Sequence, residues 1–251
     1  MSEHVEIELA DRVLTICLNR PDRLNALTHA MYAAVADGLE RAAEDPDVRV
    51  VVISGKGRAF TAGNDLGDFA AGMPEGEPPV YRFLNALVNA PKPLIAAVNG
   101  HAVGVGLTML LHCDLAFAAE SATFRAPFPQ LGLVPEAASS LLLPRALGNA
   151  WANDILLAGR KVNAKEALFA GLISRVYEDE QLLPNTMKTA LAIAAQAPNA
   201  TLKTKELIRS GKQAVIEQMA KEGEVFDAQL KSAEFAEAAA AFQEGRPPKF
   251  D

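Results

Sequence analysis

The sequence predicts an α/β fold in which strand, loop and helix segments repeat along one large domain. Val50, Val51, Val52 and Ile53 form a β-branched run that is typical of a strand covered on both faces. Before this run, apolar residues recur at helical spacing over positions 31–42. The chain has 251 residues, of which 50% are hydrophobic, so it is long enough to bury a single sizeable core.

The first elements are predicted from alternation and from capping signals. Residues 5–9 and 13–18 are apolar or alternating around a polar turn at 10–12, which predicts a β-hairpin. A helix then follows Thr28, a residue type that caps helix N-termini, and ends at Asp45, which precedes a proline. The strand after it spans 49–54.

A second cycle of the same elements follows a stretch rich in Pro and Gly at 67–79, which we expect to be a mobile loop. In chain order, this cycle comprises a helix at 80–89, a strand at 94–98, a glycine-bearing loop at 100–106, a helix at 105–111, a strand at 115–119 and a turn at 124–127. The loop at 100–106 resembles an earlier one that follows the strand at 49–54.

The remainder of the chain is predicted to be helical, apart from a short strand at 172–176. In the last helix, Phe235, Ala238, Ala239 and Phe242 share one narrow face that permits close helix packing. We therefore divide the chain into a core at 1–195 and a helical region at 196–251. This region is expected to cover the site or join subunits, and is not expected to be an independent domain.

Composition limits the classes of partner. The chain carries 24 Lys and Arg against 31 Asp and Glu, a net charge of −7, and no basic stripe indicates nucleic acid. Cys17 and Cys113 lie in apolar segments, which suits buried thiols in a reducing compartment. The sequence has neither a signal core nor an apolar run of about 18 residues, so we expect a cytoplasmic protein without a membrane partner.

Two loops carry the chemical prediction, namely 58–66 and 100–106, and each follows a β-forming run. Their small residues allow two backbone N–H groups to approach one oxygen atom. Such a pair forms an oxyanion hole, which stabilises negative charge on a carbonyl without a charged side chain. The loops therefore predict chemistry that passes through an enolate.

Four segments, in this order, resemble those of the crotonase superfamily, the enoyl-CoA hydratases and isomerases. The segments are Leu18-Asn19-Arg20-Pro21 with Leu24-Asn25-Ala26-Leu27, the run 59–66, the run 91–106, and Leu131-Gly132-Leu133-Val134-Pro135. The resemblance implies a crotonase-like spiral of ββα units with a C-terminal helical trimerisation region. It also implies an acyl-CoA thioester as the substrate and a homotrimer or hexamer as the assembly.

The same resemblance assigns the ligand contacts. It places the two oxyanion-hole N–H groups on Ala62 and Val105, although the family usually has glycine at the second position. Arg23 and Asp65 have an alternative interpretation as solvated loop residues. The positions matched to substrate contacts are Arg23, Leu24, Ala59, Asp65, Leu66, Gly106 and Phe242.

The catalytic carboxylates of the family distinguish its reactions. Hydratases of the family use two glutamates, one to activate water and one to manage the proton delivered to C2. This chain has Thr108 and Phe128 at the matching positions, and neither side chain is a base near neutral pH. We therefore do not expect ordinary hydratase activity.

Glu136 occupies the position where certain 3-enoyl-CoA to 2-enoyl-CoA isomerases carry their single base. Its alternative interpretation is a first-turn helix glutamate that points to water. The resulting prediction is an enoyl-CoA isomerase with Glu136, Ala62 and Val105 as its catalytic groups. Another crotonase-type acyl-CoA enzyme, such as a hydratase, thioesterase or hydrolase, and a non-catalytic acyl-CoA-binding protein remain alternatives.

No cofactor is predicted, because coenzyme A enters as part of the substrate. The glycines at 104 and 106 lack the third glycine of a dinucleotide-binding motif, since Met109 stands at that position. His101 and His112 have no partners at metal-ligand spacing, apart from the adjacent and geometrically poor Cys113. We therefore predict neither a nicotinamide nor a metal site.

Overall fold

A computed structural model of the chain describes residues 2–65, 67–68 and 76–250. Over these residues the protein has the mixed α/β architecture that the sequence predicts. The strands are β1 (Val5–Ala10), β2 (Val13–Leu18), β3 (Val50–Gly55), β4 (Ala59–Thr61), β5 (Leu94–Val98), β6 (His101–Val103), β7 (Leu115–Ala119), β8 (Thr123–Arg125), β9 (Val162–Asn163) and β10 (Arg175–Tyr177).

The helices of the described chain alternate with strands in the first half and follow one another in the second. They are α1 (His29–Glu44), α2 (Pro79–Asn89), α3 (Val105–Thr108), α4 (Ser139–Leu147), α5 (Asn149–Leu156), α6 (Ala164–Ala170), α7 (Leu182–Ala194), α8 (Pro198–Ile208), α9 (Lys212–Gln229) and α10 (Ala233–Glu244). Short 3-10 helices lie at Pro21–Arg23, Met109–His112, Pro129–Leu131 and Asp179–Gln181.

The first sheet has six strands in the order β1-β2-β3-β5-β7-β10. The predicted hairpin is confirmed, because β1 pairs antiparallel with β2, while the remaining neighbours pair in parallel. Alternate residues of β3 face opposite sides of this sheet. Val51 and Ile53 join the main core, whereas Val50 and Val52 pack toward α7, so the prediction of a strand covered on both faces is also confirmed.

A second sheet of four strands, in the order β4-β6-β8-β9, packs beside the first and was not predicted. Its strands have only two or three residues, too few to show alternation along the sequence. β4, β6 and β8 pair in parallel. Because parallel strands end at the same edge of a sheet, the segments that follow β4, β6 and β8 leave the sheet together.

The predicted cap of the first helix is confirmed, and two other boundaries are corrected. The Thr28 side chain accepts a hydrogen bond from the Met31 amide at 3.2 Å. The helix predicted at 105–111 is instead α3, which ends at Thr108 and continues as a 3-10 helix. The strand predicted at 172–176 begins later, at Arg175. Within the predicted loop at 67–79, residues 69–75 lie outside the described part of the chain.

The C-terminal helices pack against the elements that surround the second sheet. α9 contacts α2 and α4, and α10 contacts the 3-10 helix at 129–131. The boundary predicted at residue 195 stays a prediction.

In the described residues, no helix combines the length and the apolar character that are needed to cross a membrane.

Gly100 is required where the chain passes from β5 in one sheet to β6 in the other. A Cβ atom at this position would lie 2.1 Å from the carbonyl oxygen of Arg58 and 3.0 Å from the amide nitrogen of Ala59. Both contacts are with backbone, which cannot rotate away as a side chain does. Any other residue at this position therefore pushes the start of β6 away from the start of β4, its neighbour in the second sheet.

We predict that Gly100→Ala lowers the free energy of unfolding by about 3 kcal/mol, because it overpacks rigid backbone. Urea denaturation followed by circular dichroism measures the change. Gly211→Ala serves as the control, since its Cβ atom would meet nothing within 4 Å, and it should stay within about 0.5 kcal/mol of the wild type. Equal stability of the two variants would contradict this account of Gly100.

Candidate active site

Two loops meet at the end of the β4 and β6 pair. A Cβ atom on Gly63 would lie 3.0 Å from the carbonyl oxygen of Val103, and one on Gly106 would lie 2.6 Å from Thr61 Cγ2. The backbones at these points are thus too close for a larger residue. The sequence-predicted loops are neighbours in space because their glycines permit this approach.

The structure corrects the prediction for Ala62. The Ala62 N–H donates to the carbonyl oxygen of Leu24 at 2.9 Å, so it is already engaged within the protein. Gly63 follows with φ of +92°, a left-handed conformation that reverses the direction of the next peptide. Ala62 therefore lines the site through its methyl group and does not supply a free donor.

The Gly63 N–H donates to the Thr61 hydroxyl oxygen at 3.1 Å, so the next N–H in this loop that lacks a protein acceptor belongs to Asn64. Leu27 and Asn64 form a parallel bridge, in which Leu27 N–H donates to Gly63 at 2.8 Å and Asp65 N–H donates to Leu27 at 2.9 Å. In such a bridge the N–H of the central residue points away from the partner strand. The Asn64 N–H has no acceptor among the described residues. Its side-chain oxygen accepts from the Tyr32 hydroxyl, which fixes the residue.

Val105 supplies the corresponding donor in the second loop. It is the first residue of α3, and the preceding Gly104 has φ of 55° and ψ of −119°. The Leu107 and Thr108 amides both donate to the Gly104 carbonyl, whereas the Val105 amide has no acceptor in the part of the chain that is described. The Val105 side chain is buried in the core, so valine is accommodated at this position.

Both loops open into one cavity of about 1090 Å³. Most of its lining is apolar, and residues from α1, α2, α9 and the two loops contribute. The sequence-predicted site residues that line it are Arg23, Leu24, Ala62, Asp65, Val105, Glu136 and Phe242. Ala59 and Gly106 are buried beside it and do not line it, so their positions give them packing roles. Leu66 lies outside the described residues.

Glu136 projects its carboxyl group into this cavity from the segment before α4. Oε1 accepts a hydrogen bond from the Thr108 hydroxyl, and Oε2 is shielded from solvent with no hydrogen-bond partner among the residues that the structure describes. Glu136 lies three residues before α4 begins, which rules out the alternative of a first-turn glutamate pointing to water. The structure therefore presents one unpaired carboxylate oxygen to a ligand.

The pKa of Glu136 is raised to about 7. Burial is the largest cause, since removal from water disfavours the charged form. The hydrogen bond from Thr108 opposes this effect, and the negative charge of Glu222 adds to it. At neutral pH, Glu136 is therefore distributed between its acid and base forms, which is the condition for efficient proton transfer in both directions.

The backbone after Glu136 is held in an unusual conformation. Ala137 and Ala138 have φ of 57° and 55°, a left-handed geometry that costs an alanine roughly 1 kcal/mol per residue. His112 Nε2 lies 2.8 Å from the Ala137 carbonyl oxygen and donates to it. Burial lowers the pKa of His112 to about 4, so it makes this contact as a neutral imidazole.

Asp65 stabilises the first loop and is not a solvated residue. Arg20 donates to its carboxylate at 2.6 Å, and the amides of Gly67 and Asp68 donate to it at 3.1 Å. Burial alone would raise the pKa of Asp65, but these hydrogen bonds outweigh it and hold the pKa below its usual value.

Arg23 is exposed at the rim of the cavity, which is compatible with a substrate contact and with a solvated loop residue.

The positions of the family's two glutamates carry no base here. Thr108 is fully buried and donates to Glu136, and Phe128 contributes its ring to the cavity wall. Other acids do line the cavity, but Asp227 accepts from the Tyr81 hydroxyl at 2.5 Å and Glu224 is exposed at the edge. The described cavity thus brings a single unpaired carboxylate oxygen close to the two loops.

Asn64, Tyr32, His112 and Glu222 were missed by sequence reasoning as parts of this site. Asn64 stands two residues after Ala62 in the predicted motif, and its N–H lacks the protein acceptor that the Ala62 N–H has. The other three lie on helices, at positions that the sequence pattern does not distinguish from core residues. No local signal in the sequence identifies them.

The chain is similar over nearly its whole length to proteins of one family. A model of the enoyl-CoA hydratase/isomerase family matches residues 8–251. The 1,2-epoxyphenylacetyl-CoA isomerase of Escherichia coli (strain K12) is 35% identical over 260 residues, covering 100% of this chain and 99% of the relative. Enoyl-CoA delta isomerase 2 of Rattus norvegicus is 37% identical over 204 residues, which are 78% of this chain and 52% of the relative.

The fold is also that of solved members of the family. A crystal structure of an enoyl-CoA hydratase/isomerase from Pseudoalteromonas atlantica T6c superposes with a TM-score of 0.96 at 52% identity. The superposition covers 99% of this chain and 100% of the other. From the family match, the relatives and the shared architecture, we conclude that this chain belongs to the enoyl-CoA hydratase/isomerase family and has the crotonase fold.

Proposed function

We propose that the protein is an isomerase that converts a 3-enoyl-CoA to a 2-enoyl-CoA. The observation that carries this proposal is the Glu136 carboxyl group, which presents an unpaired Oε2 to the cavity and has a pKa of about 7. A double-bond shift needs one group that removes a proton and returns it. Glu136 satisfies this requirement without a second acid.

In the proposed reaction, Glu136 removes a proton from C2 of the bound thioester. The electron pair of that C–H bond forms a C1–C2 double bond, and the C1 carbonyl electrons move to the oxygen to give a dienolate. The carboxylic acid of Glu136 then protonates C4, the double bond settles between C2 and C3, and the thioester carbonyl forms again. The base is regenerated and no atom is gained or lost.

The backbone N–H groups of Asn64 and Val105 are proposed to hold the thioester oxygen during this step. Both lack a protein acceptor among the described residues, and both residues line the cavity. A preorganised donor of this kind is worth about 3 kcal/mol of barrier. In this proposal Asn64 replaces Ala62, whose N–H is bonded to Leu24.

The absence of carboxylates at 108 and 128 supports isomerisation over hydration. Adding water to a 2-enoyl thioester requires a base that activates water as well as control of the proton at C2. Here Thr108 hydrogen bonds to Glu136 and Phe128 adds apolar surface. Relatives of similar identity carry isomerase and hydratase names, so this choice rests on the residues of the site.

The proposed reaction moves a proton through Glu136 and electron pairs within the substrate, with no net change in oxidation state, so it requires no redox cofactor or metal. Coenzyme A is part of the substrate, with Arg23 at the rim as a candidate for phosphate contact and Phe242 beside it. We also propose assembly into a homotrimer or hexamer through the C-terminal helices. Large exposed apolar side chains there support this assembly: Leu207, Ile208, Val225 and Phe242. A cytoplasmic location stays a prediction.

We predict that Glu136→Gln lowers kcat for the double-bond shift by about 10³-fold, because the amide cannot accept the C2 proton. Binding of a saturated acyl-CoA, measured by calorimetry, should change less than about threefold, since the side chain keeps its shape. Ultraviolet absorbance of the conjugated thioester follows the reaction with 3-enoyl-CoA substrates of several lengths.

Parallel assays with 2-enoyl-CoA and for free coenzyme A separate the alternatives. Hydration of 2-enoyl-CoA would indicate a hydratase, and release of coenzyme A would indicate a thioesterase. Glu180→Gln removes an exposed carboxylate outside the cavity and should behave as the wild type. A wild-type protein without isomerase activity, or a Glu136→Gln variant that keeps most of it, would refute the proposal.

We predict that Thr108→Val raises the pKa of Glu136 by about one unit, because it removes a hydrogen bond that favours the charged form. Glu136 acts as a base, so kcat/KM rises with pH through this pKa. The midpoint of that rise should therefore move to higher pH in the variant, with lower activity at pH 7.

The control for this variant is Thr186→Val, another fully buried threonine, whose hydroxyl donates to Leu182 within α7. It should leave the midpoint of the pH profile unchanged. A midpoint in Thr108→Val that stays at the wild-type pH, or falls, would show that the hydroxyl does not stabilise the Glu136 carboxylate.

A further inference from the structure

Helix α9 carries a buried carboxylate that the proposed reaction does not use. Glu222 is only 6% exposed, and it is the one residue of α9 that is buried. Its Oε1 accepts from the Ser140 amide at 3.0 Å and from the Ser140 hydroxyl, while its Oε2 is buried without a hydrogen-bond partner among the described residues. Gln218, one turn earlier on α9, donates to the Ser140 hydroxyl at 2.9 Å.

These contacts replace a cap that α4 lacks. Ala138 stands at the N-cap position of α4, and its methyl side chain cannot accept a hydrogen bond from the first amides of the helix. Glu222 accepts from the Ser140 amide in the first turn of α4 and therefore performs the role of a cap from a different helix. Burying a carboxylate costs several kcal/mol, so an anchor of this kind needs a compensating gain.

The compensating gain is the support of the turn between Glu136 and α4. Ala137 and Ala138 are both left-handed, a conformation that alanine does not adopt without support. His112 fixes the Ala137 carbonyl before the turn ends, and Glu222 fixes Ser140, two residues after Ala138. Because this turn directly follows Glu136, the direction of the Glu136 side chain depends on both contacts.

We propose that Glu222 is a positioning residue, which anchors the start of α4 to α9 at Ser140 and thereby holds the Glu136 carboxyl group in the cavity. The catalytic consequence rests on the proposed function, but the anchoring does not. The helix that forms one wall of the cavity also fixes the segment that carries the base. A change in α9 is then transmitted to Glu136 through Ser140 and Ala138.

The charge of Glu222 has a measurable effect that packing alone would not produce, namely a change in the pKa of Glu136. The titratable groups facing Glu136 are Tyr32 from α1, His112 from the 3-10 helix that follows α3, and Glu222 from α9. Burial raises the pKa of Tyr32 well above its usual value and lowers that of His112 to about 4, so both are neutral at pH 7. Burial also raises the pKa of Glu222 itself, and the charged form of Glu222 raises the pKa of Glu136.

The test compares Glu222→Gln, which keeps the shape and one acceptor oxygen, with Glu222→Ala, which removes the anchor. The Glu136 pKa is measured by carbon-13 NMR of labelled glutamate carboxyl groups, assigned with Glu136→Gln. We expect Glu222→Gln to lower this pKa by about one unit. We expect Glu222→Ala to lower kcat about tenfold or more, with KM changed less than about twofold.

Glu217→Gln is the matched control, because it removes the same charge from an exposed position on the same helix and should leave both quantities unchanged. If Glu222→Ala does not fold, Ser140→Ala takes its place, with an expected loss of kcat of about threefold or more, since it removes one donor of the anchor.

The NMR titration needs no turnover, so it tests Glu222 even if the protein lacks isomerase activity. Failure of the proposed function would appear as a wild-type protein without isomerisation, in which the Glu136 pKa still falls in Glu222→Gln. The present proposal is overturned if that pKa is the same in Glu222→Gln, Glu217→Gln and the wild type. It is equally overturned if Glu222→Ala, or Ser140→Ala where it takes its place, folds and keeps the wild-type kcat.

Discussion

The candidate site depends on the close approach of two backbone segments beside β4 and β6. Gly106 packs against Thr61, and Gly63 packs against Val103, at separations that exclude a Cβ atom or strain one. This approach brings the Asn64 and Val105 amides to the same cavity. The donors are backbone groups, so their direction is set by φ and ψ at Gly63 and Gly104 and not by side-chain rotamers. The site is therefore rigid before a ligand enters.

The second constraint is the burial of Glu136. The rise of its pKa from 4.5 to about 7 corresponds to on the order of 3 kcal/mol of destabilisation of the charged form. Full pairing with a cation would remove this cost and also remove the basicity. The structure uses the Thr108 hydroxyl instead, which supports the carboxylate while leaving Oε2 unpaired. A carboxyl group in this state exchanges protons with carbon more readily than a solvated one.

The sequence predicted the elements whose residues show a periodicity over six or more positions. The hairpin of β1 and β2, the strand β3 and the helix α1 are of this kind. The second sheet was missed because β4, β6, β8 and β9 are too short to alternate, although it positions both loops. The site residues of the two loops were predicted from local motifs. The choice of Ala62 over Asn64 was wrong because the motif does not reveal the reversal of the peptide direction at Gly63.

The contribution of the C-terminal helices follows from contacts that span long stretches of sequence. Ile216 and Met219 of α9 line the cavity, and Glu222 on the same helix holds the turn after Glu136, 82 residues earlier at Ser140. A helical region whose sole role was to cover the site would need only apolar residues on the face that contacts the core. A buried carboxylate there is costly, and its hydrogen bonds to Ser140, which follows the strained turn, offset part of the cost. The base at 136 and the helix at 212–229 are therefore parts of one structural unit, and the strand and loop core alone does not complete the site.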